Sequence, residues 1–367
     1  MKKLQEAISQ SPNFAKRDWL KFFLVEILSL ATMVFLILYT DSLNSVYATT
    51  SDILLQHIPL ADNLRQLFYQ THQLIPQFIP NLGGGQNAFY LTYHGLANPL
   101  IILTYFLPFL NMYHCWLLIM TLVILATVGL SYWWFRLRFS SNYSLIGALL
   151  TLLTTPLLLH THYHYMFIDY IPWLLLALIG VDKALYKHKY ILLIISLTLI
   201  SLTSYYYLPT CILAIGIYST FVYFEKNDLK INIKQLGKDI SRILISLLLG
   251  ILLAAFSLLP TAFTIIQSSA GRQYNINLIE LLIPNFNITS NGYSINISIL
   301  ALIIITTLIF SKSKKYFITT TLFLISVLFP IFEIFASTSS TGLPIKALIP
   351  LLPIFCLLAI SSLRFIE

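Results

Sequence analysis

The sequence predicts an all-α integral membrane protein of about ten transmembrane helices, with a long first extracytoplasmic loop that contains juxtamembrane helices. Of its 367 residues, 57% are hydrophobic and only 10% are charged, whereas a soluble domain has about 25% charged residues. The mean hydropathy is +0.80. Apolar runs of about 18 residues or more, long enough to cross a bilayer as helices, recur along the chain. These observations exclude a secreted domain, a cytosolic enzyme and a disordered chain.

The net charge of +8 is explained by the excess of Lys and Arg in cytoplasmic loops of membrane proteins, so we expect no nucleic-acid partner. Cys115, Cys211 and Cys356 lie far apart in apolar runs, which predicts buried small side chains rather than a metal site. The first apolar run, 22–40, is too long for the core of a cleavable signal and is predicted to be an anchor.

The positions of Lys and Arg orient the spans, beginning from a cytoplasmic N-terminus. The predicted spans are 22–40, 115–135, 143–160, 170–186, 190–205, 208–224, 243–266, 294–311, 316–335 and 347–363. The run 97–112 contains Pro99 and Pro108, so we expect a re-entrant or interfacial helix there. All Lys and Arg residues except Arg65, Arg272 and Lys346 then lie inside.

The chain is predicted to form one domain, residues 1–367, in which 41–114 is the first outer loop and 115–364 is the transmembrane bundle. That loop contains a carboxylate close to the end of the first span. Asp52 could serve as a general base toward an acceptor hydroxyl. The alternative is that the pair Ser51–Asp52 marks a helix start as an N-cap.

Three consecutive glycines, 83–85, follow in the same loop. Glycine adopts backbone conformations that are closed to other residues, and the amides of such a turn could approach a phosphate or a sugar. The alternative is a flexible loop. The run matches no nucleotide-binding motif, so we predict no nucleotide site.

Polar residues also precede the fourth span. His160, His162 and His164 are spaced two apart, so the three do not share one helix face, and this favours interfacial residues or hydrogen-bond donors to a phosphate over metal ligands. Asp169 lies at the start of the fourth span, where it is either a site residue or a carboxylate stabilised by the helix dipole.

The outer cations Arg272 and Lys346 are candidates for binding a lipid-linked phosphate, with interfacial snorkelling as the alternative. Tyr205 and Tyr206 could stack on a sugar, or they could belong to the aromatic belt at the membrane surface.

Taken in order, these segments resemble the bacterial YfhO-like membrane proteins, a branch of the GT-C glycosyltransferase superfamily. Asp52 with Gln56 resembles the Asp-x-x-x-Gln motif of that family, and residues 83–87 and 93–99 resemble its glycine-containing stretch and the Tyr…Pro-Leu that follows. The later matching segments are Asp169 to Pro172, Tyr205 to Tyr207, Arg272 with Asn285, Phe286 and Gly292, and Pro344 to Lys346.

The resemblance implies an extracytoplasmic active site that transfers a sugar from a polyprenyl-phosphate donor to a cell-surface glycopolymer such as a teichoic acid, in contact with membrane lipid. It implies that Asp52 is the catalytic base, while any metal requirement stays open and no other cofactor is expected. The substrate-binding residues implied by the same matches are Gln56, His57, Gly84, Asn87, Tyr93, His94, Asp169, Tyr205, Tyr206, Arg272 and Lys346.

The chain departs from the family pattern in two residues and in length. Lys346 stands where Arg is expected, and His57 where an aromatic residue is more usual. Family members are expected to be longer, which predicts a shortened homologue, a fragment or one half of a two-subunit membrane enzyme. The alternatives to a transferase are a transporter or flippase for a lipid-linked precursor and a non-catalytic membrane partner. Charged residues inside spans would favour transport, and Glu26 and Glu333 are the main cases, both near span ends.

Overall fold

The computed structural model describes residues 14–42, 47, 52–227, 232–269, 282–284, 297–311, 313–329, 331 and 344–366. Its α-helices are α1 Lys16–Ser42, α2 Ile58–Thr71, α3 Pro99–Thr104, α4 Met112–Arg136, α5 Ser141–Leu152, α6 Thr155–His160, α7 Ile171–Lys187, α8 Ile191–Thr203, α9 Leu208–Lys226, α10 Ile233–Leu253, α11 Ala255–Ser269, α12 Ile299–Thr306, α13 Lys314–Leu328 and α14 Leu352–Ile366. Shorter elements are a π-helix, Ile53–His57, the 3₁₀ helices Ala88–His94, Tyr165–Phe167, Thr307–Phe310 and Pro344–Leu351, and a hairpin of β1 Phe78–Ile79 with β2 Gln86–Asn87.

The described helices establish an all-α membrane protein. Helices α1, α4 and α9 and the segment Tyr165–Lys187 are long and apolar enough to cross a bilayer. The 25 residues of α4 extend about 38 Å at 1.5 Å per residue, against a hydrocarbon core of about 30 Å. Helices α10 and α11 together make a fifth candidate span. Three shorter apolar helices, Ile191–Thr203, Ala301–Phe310 and Leu348–Arg364, fall below membrane length, so the total of ten spans stays a prediction.

Two predicted spans are not continuous helices. The run 143–160 is divided between α5 and α6, and Pro156 stands at the start of α6, where its missing N–H is not needed. The run 243–266 bends by 76° between α10 and α11. An apolar run specifies burial or lipid contact but not helix direction, and for this reason the prediction of single helices was wrong. In 97–112, the six-residue helix α3 is far too short to cross a membrane.

Helices α7 and α8 approach each other closely at a glycine. A Cβ atom on Gly180 would lie 2.8 Å from the backbone nitrogen of Leu193 and 2.9 Å from its Cα atom. Backbone atoms cannot rotate away as a side chain can. Close contact at small residues is the usual mode of helix packing in membranes, where lipid offers no hydrophobic drive for association.

Alanine at Gly180 is therefore expected to lower the free energy of unfolding by about 1–3 kcal/mol through overpacking. Gly216 in α9 is the matched control, because a Cβ atom there would meet nothing within 4 Å. Gly216→Ala should leave stability unchanged or raise it by up to about 1 kcal/mol through helix propensity. Thermal unfolding of the detergent-solubilised variants measures both. Equal melting temperatures for the two variants would contradict this packing.

A buried ion cluster joins four helices at one end of the bundle. Arg138, which follows α4, binds Asp182 of α7 at 2.5 Å and Glu225 of α9 at 2.8 Å. Lys315 in the first turn of α13 binds Glu225 at 2.9 Å. The hydroxyl of Tyr218 donates to Asp182 at 2.7 Å. Two cations and two carboxylates balance, which is how charge is tolerated in a membrane interior.

This cluster corrects the expectation about charged residues inside the spans. Glu26 and Glu333 are the predicted main cases, but Asp18, Asp182, Glu225 and Asp239 are the carboxylates that lie buried within the described helices. Glu333 lies outside the described residues. At the same end of the bundle, Arg136 makes a two-contact ion pair with Asp18 of α1 at 3.0 and 3.1 Å. The start of α1 and the end of α4, which the Lys/Arg distribution predicts on the same side of the membrane, therefore lie next to each other.

Candidate functional site

The opposite end of the bundle contains the predicted base. Asp169 precedes α7, thirteen residues before Asp182, so about 20 Å of helix separates the two ends. Asp52 lies at the Asp169 end, immediately before the π-helix, with its side chain 46% exposed. Its carboxylate makes no capping hydrogen bond to the helix. The carboxylate is therefore not occupied as an N-cap.

Two polar side chains approach the two oxygens of Asp52. Gln56 Nε2 lies 3.5 Å from Oδ1, and His164 Nδ1 lies 3.6 Å from Oδ2. Gln56 is four residues further along the same helical segment, so the two side chains of the Asp-x-x-x-Gln motif meet on one face. The four-residue spacing of the motif therefore brings Gln56 to Asp52. His164 approaches the carboxylate from a separate loop.

A pair of histidines lies near this carboxylate. His57 and His94 approach through their Nδ1 atoms at 2.9 Å, so one ring must donate and the other accept. Burial lowers the pKa of His57 to about 3, and the charges of His94 and His164 act in the same direction. Burial also lowers the pKa of His94, against the opposing effect of Asp52. Both imidazoles are therefore neutral at pH 7.

The neutral state of His57 predicts a pH dependence of stability. The folded-state pKa is about 3 and the unfolded value is about 6.5, so the unfolded chain binds more protons between these limits. Stability is then fully present above pH 6.5 and falls as the pH decreases toward 3, by about 1.4 kcal/mol per pH unit for this group. His57→Gln should flatten the decline of the melting temperature between pH 7.5 and 5. The exposed His114 provides the control, and an equal flattening by His114→Gln would contradict the assignment.

Three tyrosines form an aromatic wall, of which Tyr93 lies near Asp52. The ring of Tyr93 lies 6.5 Å from that of Tyr205 and 6.0 Å from that of Tyr206, both edge-to-face. Burial raises the pKa of Tyr93, and the negative charge of Asp52 adds to this effect. Burial likewise raises the pKa of Tyr205. The phenols of Tyr93 and Tyr205 stay protonated. The faces and hydroxyls of tyrosines are groups with which proteins bind sugars by stacking and hydrogen bonding.

Asp169 is fully buried near Tyr93. Its Oδ2 accepts a hydrogen bond from Asn98 Nδ2 at 2.8 Å, and Asn98 Oδ1 accepts one from the backbone N–H of Leu100 at the start of α3. The carboxylate therefore joins the start of α7 to the start of α3. A direct contact of Asp169 with a sugar stays a prediction, because its described side-chain partner is Asn98.

Gly84 and Asn87 have local roles in the hairpin. Gly84 has φ of +81° and Gly85 has φ of +103°, in the left-handed region that glycine adopts without strain. A Cβ atom on Gly85 would lie 2.6 Å from the ring of Phe78. Asn87 Oδ1 accepts from the N–H of Phe89 at 2.9 Å and so caps the 3₁₀ helix. The described contacts place neither Gly84 nor Asn87 against Asp52, and their binding roles stay predictions.

The structure describes only one of the two cations that are predicted to bind phosphate. Lys346 lies in the 3₁₀ helix Pro344–Leu351, and Arg272 lies outside the described residues. The third outer cation, Arg65, binds Asp62 at 2.6 Å and the carbonyl oxygen of Leu110 at 2.8 Å. Arg65 therefore connects α2 to the loop before α4.

Sequence reasoning missed the partners that complete the site. It did not predict that His164 would meet Asp52, or that Asn98 would meet Asp169. Asn98 had a local signal, since an Asn followed by Pro99 is a typical helix start, and Asn98 does cap α3. His164 had no such signal, because its contact joins segments 112 residues apart. Over the described part of the chain, no group of three His, Cys, Asp or Glu side chains is arranged to bind a metal ion.

Comparison with known families confirms the resemblance to the YfhO-like proteins. The sequence model of the family described as bacterial membrane protein YfhO matches residues 22–340. The chain belongs to the YfhO family. The match includes the carboxylates, histidines and tyrosines of the site, while Lys346 lies beyond it. Neither the curated proteins nor the solved structures give a match to this YfhO-family chain.

Proposed function

We propose that this YfhO-family protein is a GT-C-type glycosyltransferase that moves a sugar from a polyprenyl-phosphate donor to a cell-surface glycopolymer, teichoic-acid-like in character. The observation that supports this most strongly is the environment of Asp52. A half-exposed carboxylate, flanked by Gln56 and His164, lies near Tyr93, which contacts Tyr205 and Tyr206, at one end of a membrane bundle. The N-terminus is assigned to the cytoplasm and the site to the outer face by the Lys/Arg distribution.

In the proposed reaction, Asp52 accepts the proton of an acceptor hydroxyl as that oxygen attacks the anomeric carbon. The bond between this carbon and the phosphate oxygen breaks, and its electron pair leaves with the lipid phosphate. Because a phosphate is already a good leaving group, the protein needs cations more than a strong acid. Arg272 and Lys346 are the proposed phosphate partners.

The aromatic wall has the second role in this proposal. Tyr93, Tyr205 and Tyr206 would stack against the transferred sugar or form hydrogen bonds with it. The neutral pair of His57 and His94 would support the residues around Asp52. A second membrane subunit that completes the enzyme is part of the proposal only if the isolated chain proves inactive.

One observation favours a second candidate, a transporter for the lipid-linked precursor. Helices α10 and α11 bend by 76°, and discontinuous helices are common at transporter binding sites. Against this, the buried charges of Arg138, Asp182 and Glu225 neutralise one another rather than face a transport path.

Cells without the protein test the proposal. We expect their surface glycopolymer to lack one sugar substituent, while the polyprenyl-linked form of that sugar accumulates at the outer leaflet. Restoring the wild-type chain should restore the substituent. Accumulation at the inner leaflet would support the transporter instead, and an unchanged polymer would contradict the proposed transferase.

A further inference from the structure

The loop between α6 and α7 brings a histidine to the predicted base. His164 Nδ1 lies 3.6 Å from Asp52 Oδ2. The imidazole stacks on Phe167, with ring centroids 4.9 Å apart and planes 30° apart, and its side chain is only 17% exposed. Its orientation is thus determined by packing, and it presents Nδ1 toward the carboxylate.

The approach of His164 complements that of Gln56. Gln56 Nε2 lies by Oδ1, so each oxygen of Asp52 has one nitrogen beside it. A carboxylate at a helix start otherwise rotates about χ2, which is a broad torsion. A nitrogen beside each oxygen restricts that rotation and leaves lone pairs of each oxygen for an acceptor hydroxyl.

Among the neighbouring imidazoles, that of His164 is the best placed to interact with Asp52. His57 is buried, and its Nδ1 atom is engaged by His94. The ring of His160 lies 6.0 Å from that of His164 and the ring of Tyr163 lies 6.5 Å away. Asp52 Oδ2 lies within ion-pair distance of His164 Nδ1.

We propose that His164 is a positioning residue for Asp52, which pairs with Oδ2 and holds the carboxylate in the orientation that accepts the proton of the acceptor hydroxyl. In the reaction the new bond forms between the acceptor oxygen and the anomeric carbon, the lipid phosphate leaves with the electron pair, and Asp52 takes the proton. His164 keeps its own proton throughout. The catalytic consequence rests on the proposed function, whereas the pairing of the two side chains does not.

The pairing is tested without any activity assay. Diethyl pyrocarbonate modifies only unprotonated imidazole nitrogen, so mass spectrometry of the modified, detergent-solubilised protein between pH 5 and 8 gives a midpoint for His164. A nearby carboxylate favours the imidazolium form. Asp52→Asn is therefore expected to shift this midpoint to lower pH by at least about half a unit, while the exposed His114 keeps its midpoint. Equal midpoints for His164 in the wild type and in the variant would overturn the proposal.

The positioning role is tested by sugar transfer. His164→Phe retains a ring to stack on Phe167 but has no donor, and we expect kcat to fall about tenfold to a hundredfold with KM for the lipid donor unchanged. His164→Asn restores a donor and should recover part of kcat, and His114→Phe should match the wild type. An unchanged kcat in His164→Phe, or a rise in KM alone, overturns the positioning role. A wild-type protein without transfer contradicts the proposed function instead, and the modification experiment still decides the pairing.

Discussion

Asp52→Asn is expected to lower the rate of sugar transfer by about two to four orders of magnitude, the usual contribution of a general base. Asparagine has nearly the same shape as aspartate but cannot accept a proton from the acceptor hydroxyl. The side chain is half-exposed and makes no helix-capping bond, so the variant should fold normally. The measurement is the initial rate of label transfer from a radiolabelled polyprenyl-phosphate sugar at matched protein concentration.

Asp41→Asn is the matched control for this variant. Asp41 lies exposed near the end of α1, and its substitution removes the same charge without touching the site. Its transfer rate should equal that of the wild type. A rate for Asp52→Asn within about threefold of the wild-type rate would remove Asp52 from the base role, and would favour the transporter or a non-catalytic partner.

The second large effect is expected at the opposite end of the molecule. Arg138→Gln should lower the free energy of unfolding by about 3–5 kcal/mol, because it leaves buried carboxylates without their guanidinium partner. The side chain of Arg138 is only 5% exposed, and it contacts Asp182 and Glu225. The measurement is the unfolding midpoint of the purified protein in detergent or bicelles.

Lys183→Gln is the control for the loss of a positive charge at this end. Lys183 follows Asp182 directly in α7 but lies exposed, and exposed charges contribute about 0–1 kcal/mol. A double variant, Arg138→Met with Asp182→Leu, should recover part of the stability, because it removes both members of a pair. Equal midpoints for Arg138→Gln and Lys183→Gln would show that the cluster does not hold the bundle together.

The sequence predicted the membrane class and much of the helix order for a simple physical reason. Helices α1 and α4 arise from long apolar runs. Such a run crosses a bilayer as a helix, because a backbone with unpaired polar groups cannot cross hydrocarbon. The break between α10 and α11 has no comparable signal, since residues 243–266 are apolar on both sides of the bend. Its direction is set by packing, including the 2.7 Å contact between the hydroxyls of Thr92 and Thr261.

Several residues that the sequence named as candidates lie close together in the structure, but their contacts were not predicted, and their roles stay predictions. The family resemblance pointed to Asp52, His94 and the tyrosines, and to the position of His57 although an aromatic residue is more usual there; the structure brings these residues close to one another. The partners could not be predicted, because His164 and Asn98 make their contacts between loops that are distant in sequence. Conversely, the local rules for glycine and Asn explain Gly84 and Asn87 without any ligand.

The most direct test of the central claim is sugar transfer by the purified chain in lipid vesicles. The vesicles contain a radiolabelled polyprenyl-phosphate sugar, and surface glycopolymer is added outside. We predict that label becomes covalently attached to the polymer and that an equal amount of polyprenyl phosphate is released, with wild-type protein and not with Asp52→Asn. Label that crosses the bilayer while still attached to its lipid, with none in the polymer, would contradict the transferase and identify a transporter.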